Sequence, residues 1–516
     1  MGRKHARGAC PPYRPHRRRG RRRRDRPGGA FAGQTPPGAA APEAAKLDRA
    51  RRIRHTLEEL GPLYVKVGQI LATRPDFVPQ YIRDELESLN DQARIEPFSR
   101  FETVLEQDLG SNWRTGFTEI RTEKPLGSAS LAQVYKAVDT DGRPCVIKVQ
   151  RPDAHEAVLK DMTVLKTAVR LFAKAAPHFN EVVDIGAMLD VLFTVMQAEL
   201  DFTKEARNMK DARKAAKGFK RVCVPKALHA TPRVLVQSFA EGTPVNRIKP
   251  DELSKKHRKA IAYQLMEYMF RGYFLDRRFH ADPHPGNIII STDGKAHLID
   301  WGMVGRIDRG TSLATLGVFL ALAQNDGAAM ARQWISLGTA TPWSNPSAFI
   351  QDISRIVPHW TDASLEELNF GVALMTLLRY SSQRGIQITP LTSVVGKSVA
   401  NIEGSVRCLY PKLKLSTALH GTLTDVMQDL ILETLSGEQA AQTTLHLLST
   451  LIHGPAQLQS SLNDLSTRQL TFQARNNLGD PIQAGRHHRG VAPVASMPVL
   501  ALGAAWARAH SRRKGS

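Results

Sequence analysis

Between His280 and Gly302 the chain reads HADPHPGNIIISTDGKAHLIDWG. No other stretch restricts the fold so tightly. Asn287-Ile-Ile-Ile and Ala296-His-Leu-Ile are short apolar runs that suit strands, and Ser291-Thr-Asp-Gly294 between them is a hairpin signal. His280, Asp282 and Asn287 precede this hairpin and Asp300 closes it. A strand–turn–strand unit would therefore gather an imidazole, two carboxylates and an amide in one place. A lone HxD is more often a capped turn. The spacing and the strand context set this one apart.

That spacing is the one found in a kinase catalytic loop, H-R-D-x-x-x-x-N, followed by D-x-G. There the loop Asp accepts the proton of the attacking hydroxyl, while the Asn and the D-x-G Asp hold Mg²⁺ against the phosphates of ATP. Phosphoryl transfer demands charge neutralisation and alignment more than covalent help, which is why carboxylates and an amide suffice. On this pattern Asp282 is the catalytic acid–base residue, Asn287 and Asp300 are the metal ligands, and ATP and Mg²⁺ are the cofactors. The upstream segments match. Residues 125–135 (PLGSASLAQVY) form a small-residue turn, with Gly127, Ser128, Ala129 and Ser130 as the candidate phosphate loop. Asp139-Thr-Asp-Gly142 signals a hairpin, and Cys145-Val-Ile-Lys148 follows as a strand whose lysine would contact the α- and β-phosphates. The plain alternative for Lys148 is an outward residue on an edge strand. Helical periodicity over residues 186–209 places Asp201 and Glu205 on one face, four apart, and Glu199 off that face. A solvated acidic face is the ordinary fate of such residues. Val234 to Gly242 suits a hinge strand beside an adenine, and residues 257–276 predict an amphipathic helix leading to His280.

Residues 60–79 read LGPLYVKVGQILATRPDFVP, with Lys66 and Gln69 on one helical face. Together with the motifs above, Leu89-Asn-Asp91, Ile402-Glu-Gly404 and Leu409-Tyr-Pro411, this resembles the UbiB (AarF-like) family of atypical kinases over about residues 50–430. The resemblance implies an α+β, two-lobed kinase-like fold preceded by a helical KxGQ extension. It also implies that KxGQ folds over the nucleotide site, that Lys66 and Gln69 face Glu199 and Asp201, and that Glu205 pairs with Lys148. Members bind ATP and support isoprenoid-quinone or other lipid metabolism, often at membranes. A lipid or small-molecule substrate is the partner it implies. Three departures stand out: Gly127-Ser128-Ala129-Ser130 replaces a run of alanines, Trp301 replaces Phe, and Gln92-Ala-Arg replaces a proline-rich stretch. Gly and Ser would relax the phosphate loop. A small-molecule kinase of the aminoglycoside or choline kinase type shares HADPHPGN and LIDWG but would lack KxGQ with ExD. A non-catalytic ATP-binding scaffold is a third reading, against which the intact Asp282 argues.

The formal charge of +22 on 516 residues resembles a nucleic-acid binder until it is mapped. Residues 1–54 hold 17 Lys and Arg against 3 acids, and residues 471–516 hold 7 against 1, so the intervening 47 bases and 45 acids nearly cancel. The excess sits on the ends, which disfavours nucleic acid and suits an anionic membrane surface. The domains expected are an Arg-rich disordered tail (1–46), the KxGQ extension (47–120), an N-lobe (121–242), a helical C-lobe (243–470) and a basic tail (471–516). In that last tail, Gly490 to Ala507 is uncharged but weakly apolar, at the lower margin for a membrane span. Cysteines 10, 145, 223 and 408 show neither zinc spacing nor a pairing pattern, which fits a reducing compartment. The expected location is the cytoplasm, peripheral at a membrane. His284, next to the candidate catalytic Asp, would lie near the γ-phosphate.

Overall fold

The computed structural model describes residues 40–72, 74, 78–86, 88–89, 94–175, 185–249, 252–362, 370–411 and 413, with short pieces between 423 and 433. The expected Arg-rich tail up to residue 39 and the 490–507 segment lie outside the described residues. Among those described, no helix is long and apolar enough to cross a membrane.

Three helices come first: α1 (Ala40–Leu60), α2 (Pro62–Ala72) and α3 (Gln80–Leu86). Gly61 turns the chain between α1 and α2 at φ 106°, and Pro62 opens α2 where a missing N–H costs nothing. Leu57, Leu63, Tyr64, Ile82, Leu86 and Leu89 fill the space between them. Gly68 of the KxGQ sequence has a clear physical reason. A Cβ there would collide with Leu89 Cδ1 and stand 2.9 Å from Leu57 Cδ1.

Next, α4 (Ser99–Leu109) lies on an antiparallel sheet of β1 (Phe117–Ile120), β2 (Gly127–Ser128), β3 (Ala132–Asp139) and β4 (Pro144–Gln150). Helices α5 (Ala154–Ala175), α6 (Ile185–Glu199) and α7 (Phe202–Ala215) follow, then β5 (Val222–Cys223), β6 (Ala227–Ala230) and β7 (Val234–Ser238). The N-lobe sheet runs β1-β3-β4-β7-β6, with β2 paired to β3. Alternation decides its faces. Cys145, Ile147 and Val149 of β4 join Phe98, Phe101, Leu105, Trp113 and Tyr135 in one apolar cluster, which leaves Lys148 on the other face. β4 sits between β3 and β7, so Lys148 occupies a central strand, not an edge one. The Asp139–Gly142 turn forms as expected. The Asp139 carboxylate accepts from Asp141 N (2.9 Å) and Arg143 N (2.8 Å), and Gly142 takes φ 75°.

The C-lobe continues through β8 (Thr243–Pro244), α8 (Lys255–Phe274), β9 (Arg278–His280), β10 (Ile288–Ile290), β11 (Ala296–Leu298) and β12 (Val304–Arg306). The 288–298 hairpin predicted from sequence pairs Ile288 with Leu298 and Ile290 with Ala296, and Gly294 turns it at φ 77°. α8 was expected to be amphipathic. Its second half is instead buried nearly all round, with Leu265, Met266, Met269, Phe270, Tyr273 and Phe274 at 2% exposure or less, because it is the central helix of this lobe. Then come α9 (Arg309–Ala323), α10 (Gly327–Ile335), β13 (Gly338–Ala340), α11 (Pro346–Asp362), α12 (Phe370–Gln383), β14 (Ile386–Ile388) and α13 (Pro390–Leu409). The protein thus has the two-lobed α+β kinase-like architecture expected.

One expectation fails locally. Residues 186–209 do not form one helix: α6 ends at Glu199 and α7 begins at Phe202. Asp201 leaves helical geometry (φ −139°, ψ 94°), and its carboxylate caps α7 through Thr203 N at 3.0 Å. A capping aspartate outcompetes helix continuation because it satisfies a backbone donor that would otherwise be orphaned.

Candidate functional site

Three side chains distant in sequence converge in the cleft. Lys148 Nζ lies 2.9 and 3.1 Å from the Glu205 carboxylate oxygens and 3.1 Å from Asp300 Oδ1. The ammonium also stands 5.1 Å from the centre of the Phe202 ring. Glu205 is 2% exposed at the side chain, whereas the Asp300 carboxylate is 51% exposed and opens on the cleft. Asp300 occupies the left-handed region at φ 59°, a conformation that aspartate tolerates better than most residues. Burial alone would push the Lys148 ammonium down. The Asp300 and Glu205 carboxylates outweigh it and hold the group well above the usual lysine value. Lys148 in turn holds Asp300 far below the carboxylate range, while burial raises Glu205.

The loop after β9 is fixed by its histidine. His280 is buried, and burial lowers its pKa, so the ring is neutral. Asp282 N donates to Nδ1 at 3.1 Å, which leaves Nε2–H to donate to Ile299 O at 3.0 Å. His280 thereby ties Asp282 to the strand that delivers Asp300. Its ring lies 4.7 Å from that of Trp301, which is 3% exposed and donates from Nε1 to Leu298 O. The Trp301 departure is thus a filled apolar slot. Asn287 Nδ2 donates to the Asp282 carbonyl at 3.2 Å, and Ile299 N donates to the Asn287 carbonyl at 2.9 Å. His284 accepts from Gly286 N at 3.0 Å and caps the short turn Pro285–Asn287.

Two groups on α13 that sequence reasoning missed hold the Asp282 carboxylate. Asn401 Nδ2 donates to Oδ1 at 2.6 Å, and Lys397 Nζ stands 3.5 Å from Oδ2. Burial would raise Asp282, but Lys397, His284 and Lys66 bring it below its ordinary value. The available signal was Asn401 itself, directly before Ile402-Glu-Gly404. Within that signature, Glu403 is 2% exposed, accepts from Gly371 N and holds Arg407.

Of the contacts expected between KxGQ and ExD, one is present. Lys66 Nζ lies 3.1 Å from Glu199 Oε1, joining α2 to the end of α6. Asp201 does not share this role, since its Oδ1 is committed to Thr203 N and Oγ1. Gln69 Nε2 donates to Leu89 O at 3.4 Å. In the phosphate-loop candidate, Gly127 and Ser128 pair with Val134 and Gln133 of β3. Arg151 donates to Ser128 Oγ (2.9 Å) and Ala129 O (3.1 Å) and pairs with Glu96. The relaxation expected of a Gly-Ser pair is therefore offset, because the Ser128 hydroxyl is already engaged. Ser130 follows on the same turn, which Ala129 N closes on Ala132 O at 2.8 Å.

Among the described residues, no three His, Cys, Asp or Glu side chains are grouped to hold a metal ion. The donors at hand are the Asp300 carboxylate and the Asn287 amide, both hard oxygens. Such a set fits Mg²⁺ when phosphate oxygens complete the shell, the usual arrangement for this ion. It does not suit a soft metal.

Residues 88–334 match the ABC1 atypical kinase-like domain. A protein named a probable protein kinase UbiB, from Aeromonas hydrophila, is 32% identical over 378 residues, which cover 72% of this chain and 68% of that protein. An uncharacterized protein of Synechocystis is 30% identical over 68% of this chain and 88% of its own. An uncharacterized aarF domain-containing protein kinase of Arabidopsis thaliana, named as chloroplastic, is 33% identical over 71% of this chain. The match spans about half of that plant protein, 52%.

Proposed function

Because the chain belongs to the UbiB family of ABC1 atypical kinase-like proteins, we propose that it binds Mg-ATP and transfers the γ-phosphoryl group to a lipid or small-molecule acceptor. The observation that carries this reading is the convergence of Lys148, Glu205 and Asp300 from β4, α7 and the turn after β11. In this reading Lys148, fixed by Glu205, contacts the α- and β-phosphates. The loop at 127–130 borders them. Asn287 and Asp300 would hold Mg²⁺, which neutralises phosphate charge when bound. Asp282, with both oxygens held from α13, takes the proton of the attacking hydroxyl. α2, tied across the cleft by Lys66 and Glu199, leaves little room for a protein loop. That favours compact acceptors, and the family resemblance points to isoprenoid-quinone or other lipid metabolism. The basic terminal segment would bring the protein to an anionic surface.

Mg-ATP turnover measured with and without anionic lipid vesicles tests this. The expected result is ATP consumption that rises with vesicles and is lost in Lys148→Met. Turnover that persists in Lys148→Met would refute the assignment. Turnover that yields only free phosphate, whatever acceptor or lipid is offered, would replace transfer by hydrolysis.

A further inference from the structure

Next to Lys397, the side chain that pairs with Asp282, α2, α6, α13 and the turn after Asp300 border a cavity of about 60 Å³. Its wall is largely apolar, with Ile70, Leu192, Val195 and Met303. Two polar groups of α13 face it, Ser393 and Lys397, one helical turn apart. A turn further on, Asn401 donates to Asp282 Oδ1, while Lys397 stands 3.5 Å from Oδ2. One stripe of α13 therefore runs from the cavity to the Asp282 carboxylate.

Ser393 is 6% exposed, and its hydroxyl has no hydrogen-bond partner among the described residues. A buried serine within a helix ordinarily bonds the carbonyl one turn back. Ser393 does not, and an unpaired buried hydroxyl is costly to keep. The cavity exceeds the ~10–15 Å³ that one water needs. The several hydroxyls of a sugar would be left unpaired against the apolar wall. Among the described residues that border the cavity, Lys66 and Arg74 are cationic and none is a carboxylate, which disfavours a cationic head group.

We propose that this cavity is an acceptor subsite for a compact diol-type head group on an apolar carbon body, with Ser393 as its specificity residue. One hydroxyl is presented to Asp282 beside Lys397, and a second oxygen bonds Ser393. The inference rests on the phosphotransferase reading above. In the transfer, the acceptor oxygen forms a bond to the γ-phosphorus as the bond from that phosphorus to the β–γ bridging oxygen breaks. ADP leaves with the electron pair, and the acceptor proton passes to the Asp282 carboxylate.

The test is saturation-transfer NMR of butane-1,3-diol with the full chain, without nucleotide. The wild type should transfer saturation to the diol, and butylammonium should receive none. Ser393→Ala should weaken binding ~3–10-fold, the effect of one hydrogen bond, and Ser393→Thr should restore it. Val394→Phe, which fills the cavity from its half-buried wall, should abolish binding with Ser393 intact. Thermal melts establish that each variant is folded. Tighter binding of 1-monooctanoylglycerol than of butane-1,3-diol identifies a lipid-borne head group, and equal binding a free one. Absence of transfer in the wild type, or equal affinity in Ser393→Ala, overturns the subsite and leaves a water-filled void. A chain that binds Mg-ATP but not the diol refutes the subsite alone. One that binds the diol but not Mg-ATP refutes the nucleotide reading alone.

Discussion

Asp108 shows how a single carboxylate braces the N-lobe. It accepts from Thr231 Oγ1 at 2.6 Å, Arg233 Nε at 2.9 Å and Arg233 N at 3.2 Å, locking α4 to the β6–β7 turn. Burial would raise its pKa, but these donors hold it below the ordinary aspartate value. A carboxyl depressed in the folded state contributes stability above its unfolded pKa, and that contribution is lost as pH falls through the folded one. Asp108→Asn is therefore expected to cost about 1–3 kcal/mol at pH 7, with a gap to wild type that narrows below about pH 4. Urea melts at pH 7 and pH 3 measure it, and a gap that does not change with pH contradicts the account. At this scale the spacing in the chain singled out Asp282, Asn287 and Asp300, and the family resemblance paired Glu205 with Lys148, which the structure places at 2.9 Å. The sequence was silent on Arg151, which holds Ser128 and Ala129, and on Lys397 and Asn401. Those contacts cross more than twenty and more than a hundred residues respectively, and the position of Asn401 directly before Ile402-Glu-Gly404 is the one local trace of them.

Among the elements, α2 is the one on which the proposed limit to access depends. Gly68 lets it lie close to α1 and Leu89, and Lys66 ties it to Glu199. Gly68→Val should cost about 1–3 kcal/mol by overpacking, read as a lower melting temperature. An unchanged melt would show that the neighbouring leucines move aside freely. Lys66→Ala should free the lid and raise autophosphorylation several-fold, with Lys148 and Asp300 still required. Strong phosphorylation of a generic protein by the wild type, unaffected by Lys66→Ala, would make α2 merely structural. Ser254, Asp308, Asp326 and Thr389 each cap a helix start by accepting a backbone N–H. The break at Leu200–Asp201 was not legible in the sequence, because apolar periodicity runs straight through it and only the cap interrupts it. The β13–β14 ribbon was also hidden, since its two short strands are separated by two helices.

For the molecule as a whole, the two-lobed architecture was legible from the order of the motifs between Lys66 and Pro411, whereas the all-round burial of α8 was not, because its sequence predicts an amphipathic helix. The charge distribution is a separate layer. Residues 1–39 carry 12 Lys and Arg against Asp25 alone, and they precede α1 (Ala40–Leu60). Removing residues 1–39 should leave the melting temperature close to that of the full chain and weaken binding to anionic vesicles, most at low salt. Unchanged vesicle binding at every ionic strength would reject a membrane role for this segment. The central claim is that the cleft is an Mg-ATP site with divided labour. Calorimetric titration of Mg-ATP into the wild type, Asp300→Asn and Asp282→Asn tests it most directly. Binding should be retained in the wild type and in Asp282→Asn, which should turn over poorly, and lost in Asp300→Asn. Wild-type Mg-ATP affinity in Asp300→Asn would contradict the account.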